Sequence, residues 1–348
     1  MTLKSGPRSE VRKIQLTGGS TYIVSLPKKW ITEHGLEARD QVRIEWRPSG
    51  TLRVIADAST IVRNREVNID CKEVPDHMIF DHLIAAYLSG ANRITMNSSK
   101  EFTRNQSKIV RNFVKSTRGL EITNDQGSKL EMISLLNPAE IPLYSSINRM
   151  YLLISRQVRD FSDVLIGGDS EILEDSAERE NEVDALRLLL ERQVGQILES
   201  ASIEDSLGTS RWEAAELCKL VRTLERMGDH SFALCDLASS YKIPSTISMT
   251  SLPISVIPIW QMSIKLLVSN LRKRKFSEIH SAKSQLISAQ QDLLRYEEEL
   301  RSSDIEIQDA LFLDRVSESL RRICAYSINM AEILMNIQTH RDSNQVYS

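Results

Sequence analysis

The sequence predicts an α+β multidomain chain: a small β-rich unit first, a small α/β unit next, then an all-α half. Three observations carry that expectation. Strand-like runs punctuated by Gly and Pro are confined to the residues before about 140. Helix-period apolar patterning fills about 141–342. The composition, 41% hydrophobic but only 5% aromatic, favours helical bundles over sandwiches or barrels. A chain of 348 residues is also long for one hydrophobic core. No run approaches the roughly 18 apolar residues of a membrane span, and the N-terminus lacks an apolar signal segment. Cys71, Cys218, Cys235 and Cys324 lack CxxC spacing and are expected as buried free thiols, placing the protein in a reducing cytoplasm.

The net charge of −3 hides an asymmetry. Residues 1–31 carry Lys4, Arg8, Arg12, Lys13, Lys28 and Lys29 against Glu10 alone. Residues 171–184 reverse this, with Glu171, Glu174, Asp175, Glu178, Glu180, Glu182 and Asp184 against Arg179. One end suits polyanions, the other cations.

In the first unit, expected at 1–58, strands are predicted at Val11–Leu16, Tyr22–Leu26, Gln41–Trp46 and Leu52–Ile55. A short helix Lys28–His34 follows Pro27 and stops at Gly35. So small a unit buries little core alone and should dimerise, by interleaving strands. Its motifs are Arg12-Lys13-Ile14-Gln15, Gly18-Gly19-Ser20, Val24-Ser25-Leu26-Pro27-Lys28 with Trp30, Gly35-Leu36 and Asp40-Gln41-Val42. Together they resemble the SpoVT/AbrB swapped-hairpin domain, most closely its archaeal version. Ser25 departs from the family's usual Thr. The resemblance implies a dimeric β-fold that binds DNA, with Arg8, Arg12, Lys13 and Lys28 toward phosphates.

The second unit, expected at 59–140, reads as βαβαββ: Arg65–Cys71, helix Met78–Leu88, Arg93–Met96, helix Phe102–Ser116, Leu120–Thr123 and Lys129–Ser134. No phosphate-cradling glycine loop precedes either helix. Arg104, Lys108, Arg111 and Lys115 share one face of the second helix. That spacing reads first as a solvated face, with an extended nucleic-acid surface as the alternative.

The third region holds helix-period segments at about 143–165, 169–200, 210–241, 255–274, 276–303 and 306–340. They form two groups of three, expected at 141–252 and 253–342, before a tail at 343–348. A shift of 96 residues aligns Leu217 with Leu313, Leu224 with Leu320, Met227 with Ile323 and Ser231 with Ser327, repeating the apolar stripe. The third segment contains Leu224-Glu225-Arg226-Met227-Gly228-Asp229-His230-Ser231. Glu225 and Asp229 stand one turn apart on one face. Gly228 between them costs helix propensity, about 1 kcal/mol against Ala, and invites close packing.

This octapeptide, with Glu180-Asn181-Glu182-Val183-Asp184 and Arg192-Gln193 upstream, resembles the PhoU family of phosphate-signalling proteins, built from two three-helix repeats. Ala86-Tyr87-Leu88-Ser89-Gly90 and Gly119-Leu120-Glu121-Ile122 resemble the linking segment of archaeal PhoU-like regulators. Some PhoU members hold metal clusters between facing acidic motifs, which would set Glu180 and Asp184 against Glu225 and Asp229. Four carboxylates suit Mg, Mn or Fe, with Zn a poorer fit. The alternative is an ion-pair network with Arg222 and Arg226. His230 is expected to pack or lie at the surface. In the second group Glu225 meets Arg321 and Asp229 meets Ala325, so at most one cation site is expected.

The function expected on these grounds is a dimeric, cytoplasmic, DNA-binding transcriptional regulator of phosphate uptake that senses through its helical bundle. The alternative is an adaptor that negatively regulates a phosphate ABC transporter by protein contact. An enzyme is not expected, for lack of a nucleophile–base pair.

Overall fold

The structure, a computed structural model, describes residues 10–46, 51–56, 65–137, 140–245 and 247–345. Arg8 and the last residues of the expected tail, 346–348, lie outside the described residues. The fold is α+β and multidomain. The chain divides into two compact units, Met1–Asn64 and Arg65–Ser348.

The first unit contains β1 (Ile14–Thr17), β2 (Thr21–Val24), α1 (Lys28–Glu33), β3 (Val42–Trp46) and β4 (Leu52–Ala56). β1 and β2 form an antiparallel hairpin, pairing Ile14 with Val24 and Leu16 with Tyr22. Its turn uses Gly18 and Gly19 at φ of 64° and 83°, a region open to glycine at little cost. Side chains alternate across a strand, so Ile14, Leu16, Tyr22 and Val24 make one apolar face, and all four are exposed. β3 and β4 pair Val42 with Ala56 and Ile44 with Val54. Pro27 and Gly35 bound α1 where the sequence places them.

The second unit begins with the expected βαβαββ order: β5 (Glu66–Asp70), α2 (Asp76–Leu88), β6 (Arg93–Asn97), α3 (Arg104–Ser116), β7 (Leu120–Asp125) and β8 (Lys129–Ser134). The sheet order is β5-β6-β8-β7, with β5 and β6 parallel and the other pairs antiparallel. Ile69, Ile94, Met96, Leu130 and Met132 join Leu83, Tyr87 and Phe113 in one core. The alternate strand residues Glu66, Asn68, Asp70, Thr95 and Glu131 line an open polar cavity of about 640 Å³. A reciprocal cap starts α3: Thr103 Oγ1 accepts from the Gln106 amide at 3.2 Å, and Gln106 Oε1 accepts from the Thr103 amide at 3.0 Å.

Then come α4 (Leu143–Leu165), a 3-10 turn (Ser170–Leu173), α5 (Ser176–Glu199), α6 (Ala201–Leu207), α7 (Arg211–Ser240), α8 (Val256–Lys273), α9 (Phe276–Arg301) and α10 (Ile307–Gln345). α4, α5 and α7 make one three-helix group, α8, α9 and α10 the other, and α7 packs along α10. Both groups feed a single core that includes Ile154, Met227, Trp260 and Leu320. The duplication reaches the buried polar atoms. Ser231 donates to Gln157 on α4 at 2.7 Å, and Ser327, 96 positions later, accepts from Trp260 Nε1 on α8 at 2.9 Å.

The single segment expected at 169–200 is two pieces. Buried Arg179 donates to Asp160 on α4 at 2.6 Å, to the Ile172 carbonyl at 3.0 Å and to Asp175, folding residues 170–175 back. The interval between the segments expected at 169–200 and 210–241 holds α6, which Gly208 ends at φ 59°. All four cysteines are free, but only Cys235 and Cys324 are buried; Cys71 and Cys218 are half-buried, a correction to the expectation.

The α/β layer docks on α5. Arg192, 3% exposed, donates to the carbonyls of Tyr87 and Ala91 and stands over the Tyr87 ring at 4.8 Å. It adds a second donor to the Tyr87 carbonyl, which also accepts from the Gly90 amide at 3.0 Å, and supplies a donor to the Ala91 carbonyl just past the end of α2.

Candidate functional site

The candidate site lies on the seam between α5 and α7. A Cβ added to Gly228 would stand 3.1 Å from Val183 Cγ1, so the missing side chain is what admits Val183 to the seam. Val183 and Gly228 occupy the same place in their motifs, three residues after Glu180 and Glu225 and one before Asp184 and Asp229. One contact therefore sets both carboxylate pairs along the same seam.

The structure brings the four acids into electrostatic reach. Burial pushes all four pKa values above their ordinary range. Asp184 and Asp229 raise Glu180 further, and Asp229 raises Asp184. Asp229 and Asp184 raise Glu225. Like charges drawn together in a partly dry seam favour the protonated form.

One residue opposes this, and sequence reasoning missed it. Arg187 Nε lies 3.3 Å from Glu225 Oε1 and 3.9 Å from Asp184 Oδ1, while its Nη1 lies 3.6 Å from Glu191 Oε1. Its charge lowers Asp184, Glu225 and Asp229. The Nε is buried without a hydrogen-bond partner, so charge alone holds the guanidinium there. The usable signal was spacing: Arg187 is three after Asp184 and four before Glu191 on one helix.

The arginines expected in an ion-pair network divide their roles. Arg222 pairs with Glu191 at 2.8 Å. Arg226 stands 5.9 Å from the Tyr326 ring centroid and lowers Glu225 and Asp229 through its charge. His230 packs 5.9 Å from Tyr326, its pKa lowered by burial and then by Arg322. Among the described residues no group of three or more His, Cys, Asp or Glu side chains is placed to hold a metal ion. Arg187 places a positive charge among these acids, beside Asp184 and Glu225. In the second repeat Arg321, at the position of Glu225, pairs with Glu297 at 2.9 Å.

The expected phosphate-binding residues lie on the first unit. Arg12 pairs with Glu10. Lys29 reaches Glu33 at 3.6 Å. The Lys13 and Lys28 side chains are exposed and have no ion-pair or hydrogen-bond partner among the described residues.

A family model described as the PhoU domain matches residues 147–238, from α4 through α7, and takes in all four carboxylates and Arg187. The chain carries a PhoU domain. The model described as antidote-toxin recognition MazE, bacterial antitoxin, matches residues 15–60, the MazE/AbrB-like domain at the N-terminus. Among solved structures the chain is similar to PhoU from Pseudomonas aeruginosa, at 19% identity over 56% of this chain and 93% of that one, with a TM-score of 0.43. No curated protein matches significantly. Among the described residues no helix is long and apolar enough to cross a membrane.

Proposed function

We propose that this protein is a dimeric, cytoplasmic, DNA-binding regulator of phosphate uptake, with the MazE/AbrB-like domain as reader and the PhoU domain as sensor. One observation carries the reading: a single chain joins a MazE-type domain, bearing the unpaired cations Lys13 and Lys28, to a PhoU domain. Lys13, Lys28 and Arg12 would take phosphate contacts, which position a protein on DNA without reading its sequence. Signalling requires that a bundle-bound ligand or partner discriminate between two arrangements of the readers, since equal affinity for both shifts nothing. Where a divalent cation is taken up, Glu180, Asp184, Glu225 and Asp229 are its ligands on this reading, and Arg187 is the charge it displaces.

A gel-shift titration of the protein's own upstream region at several salt concentrations tests the proposal. Binding should weaken as salt rises, by about 0.9 in log K per log salt for each phosphate contact. Lys13→Gln with Lys28→Gln should flatten that dependence. Absence of binding, or binding indifferent to salt, would leave the chain without a reader.

A further inference from the structure

α3 presents a surface that this function does not use. Arg104, Lys108, Arg111 and Lys115 follow one another at steps of four, three and four residues, so they form one stripe along the helix. At 1.5 Å per residue the stripe runs about 16 Å. All four are exposed, and none has a hydrogen-bond or ion-pair partner among the described residues.

Three features separate this stripe from an ordinary solvated face. α3 contains no Asp or Glu, and from Lys100 to Arg118 the single acid is Glu101. Solvated helix faces usually interleave both signs, because like charges at this spacing repel. Five arginines elsewhere in the same compact unit are paired: Arg65 with Glu199, Arg93 with Glu131, Arg118 and Arg149 with Glu182, Arg179 with Asp160. Four cations in a row on one helix are left uncompensated. Finally, α3 cannot roll. Gln106, Val110 and Phe113 are buried beneath it, and the reciprocal Thr103–Gln106 cap fixes its start. Its apolar side is therefore unavailable to a lipid bilayer, and the exposed residues of the helix are the four cations with Asn105 and Asn112.

We propose that the outer face of α3 is a nucleic-acid backbone contact, separate from the N-terminal reader. A duplex carries one charge per about 1.7 Å of axis, so a stripe of this length meets enough phosphates to engage all four side chains. Such contacts strengthen binding to any sequence alike. The inference extends the DNA-binding reading, yet stands on residues of the other compact unit, so the two can fail separately.

The test uses the full chain and fluorescence anisotropy between about 50 and 200 mM salt, with two duplexes, the upstream region and an unrelated sequence. The variants are Arg104→Gln/Lys108→Gln/Arg111→Gln/Lys115→Gln, Lys13→Gln/Lys28→Gln, and the charge-keeping Arg104→Lys/Arg111→Lys. Circular dichroism checks that each is folded. The quadruple variant should flatten the salt slope by about three to four on both duplexes, and the charge-keeping variant should bind nearly as wild type. An unchanged slope in the quadruple variant, with a loss in Lys13→Gln/Lys28→Gln, overturns the α3 contact and keeps the reader. The opposite pattern overturns the reader and keeps α3. If wild type binds neither duplex but sediments with phosphatidylserine vesicles in an α3-dependent way, the surface is for membranes and the nucleic-acid inference is overturned.

Discussion

Arg187 is the residue on which the charge balance of the α5–α7 seam turns. Glu180, Asp184, Glu225 and Asp229 all have pKa values raised in the fold, chiefly by burial. A group whose folded pKa is raised contributes stability at low pH and loses it as pH rises through that value. The cluster is therefore most costly at neutral pH and is relieved as pH falls toward the ordinary carboxylate range. Glu182 behaves oppositely. Its bond to Arg149 holds it below its ordinary value, so its contribution is lost only at lower pH, in a separate window. Arg187→Gln should thus destabilise more at about pH 7 than at about pH 5.5, read as urea midpoints. An equal loss at both would show that Arg187 does not neutralise the cluster. The proposed cation site is tested at the same position. Wild-type protein should carry little divalent cation by elemental analysis, and Arg187→Gln should carry more. One tightly held ion per wild-type chain, absent from Glu225→Ala/Asp229→Ala, would replace Arg187 with a resident cation.

Between elements, close approach decides the outcome. Gly228→Ala gains about 1 kcal/mol of helix propensity. It also sets a Cβ 3.1 Å from Val183 Cγ1, so the two effects should nearly cancel. Gly228→Val should overpack the seam and cost roughly 1–3 kcal/mol. In a Val183→Ala background the Gly228→Ala gain should reappear, and denaturation of the four proteins reads it as a coupling. At the other docking surface Arg192→Met should cost roughly 1–3 kcal/mol, because the Ala91 carbonyl loses its donor and the Tyr87 carbonyl keeps only the Gly90 amide. Proteolysis that still spares the α/β layer in that variant would show that Arg192 does not hold it. Gly228 was legible because a glycine inside a strong helical period is itself a signal. α4, α7 and α8 were legible for a similar reason, since Pro, Gly and apolar period bound each of them. The turn at 170–175 was not. Its acidic spacing is as helical as that of α5, and only the tertiary reach of Arg179 to Asp160 folds it back. Arg187 was hidden likewise, because a cation on an acidic helix announces its spacing but not the neighbouring helix it faces.

At the scale of the molecule, the first unit exposes apolar surface that its own described residues do not cover. A lone two-stranded hairpin is marginal in water. β1 and β2 expose Ile14, Leu16, Tyr22 and Val24 at 69%, 59%, 68% and 49%, while Ile44 and Leu52 on the other hairpin are each 56% exposed. Contiguous apolar surface on so small a unit marks an interface. A second copy is the fitting cover, because each hairpin presents the same apolar face and a two-fold pairing is self-complementary. Light scattering should then give twice the chain mass of 39.6 kDa. Leu16→Asp with Val24→Asp should return it to one chain, while the PhoU domain keeps its helical signal. The monomeric variant should also bind DNA far more weakly than wild type, although Lys13 and Lys28 are untouched, because pairing doubles the phosphate contacts available to one duplex. If the variant stays dimeric, the interface lies in the helical unit, and the exposed hairpin face needs a different occupant.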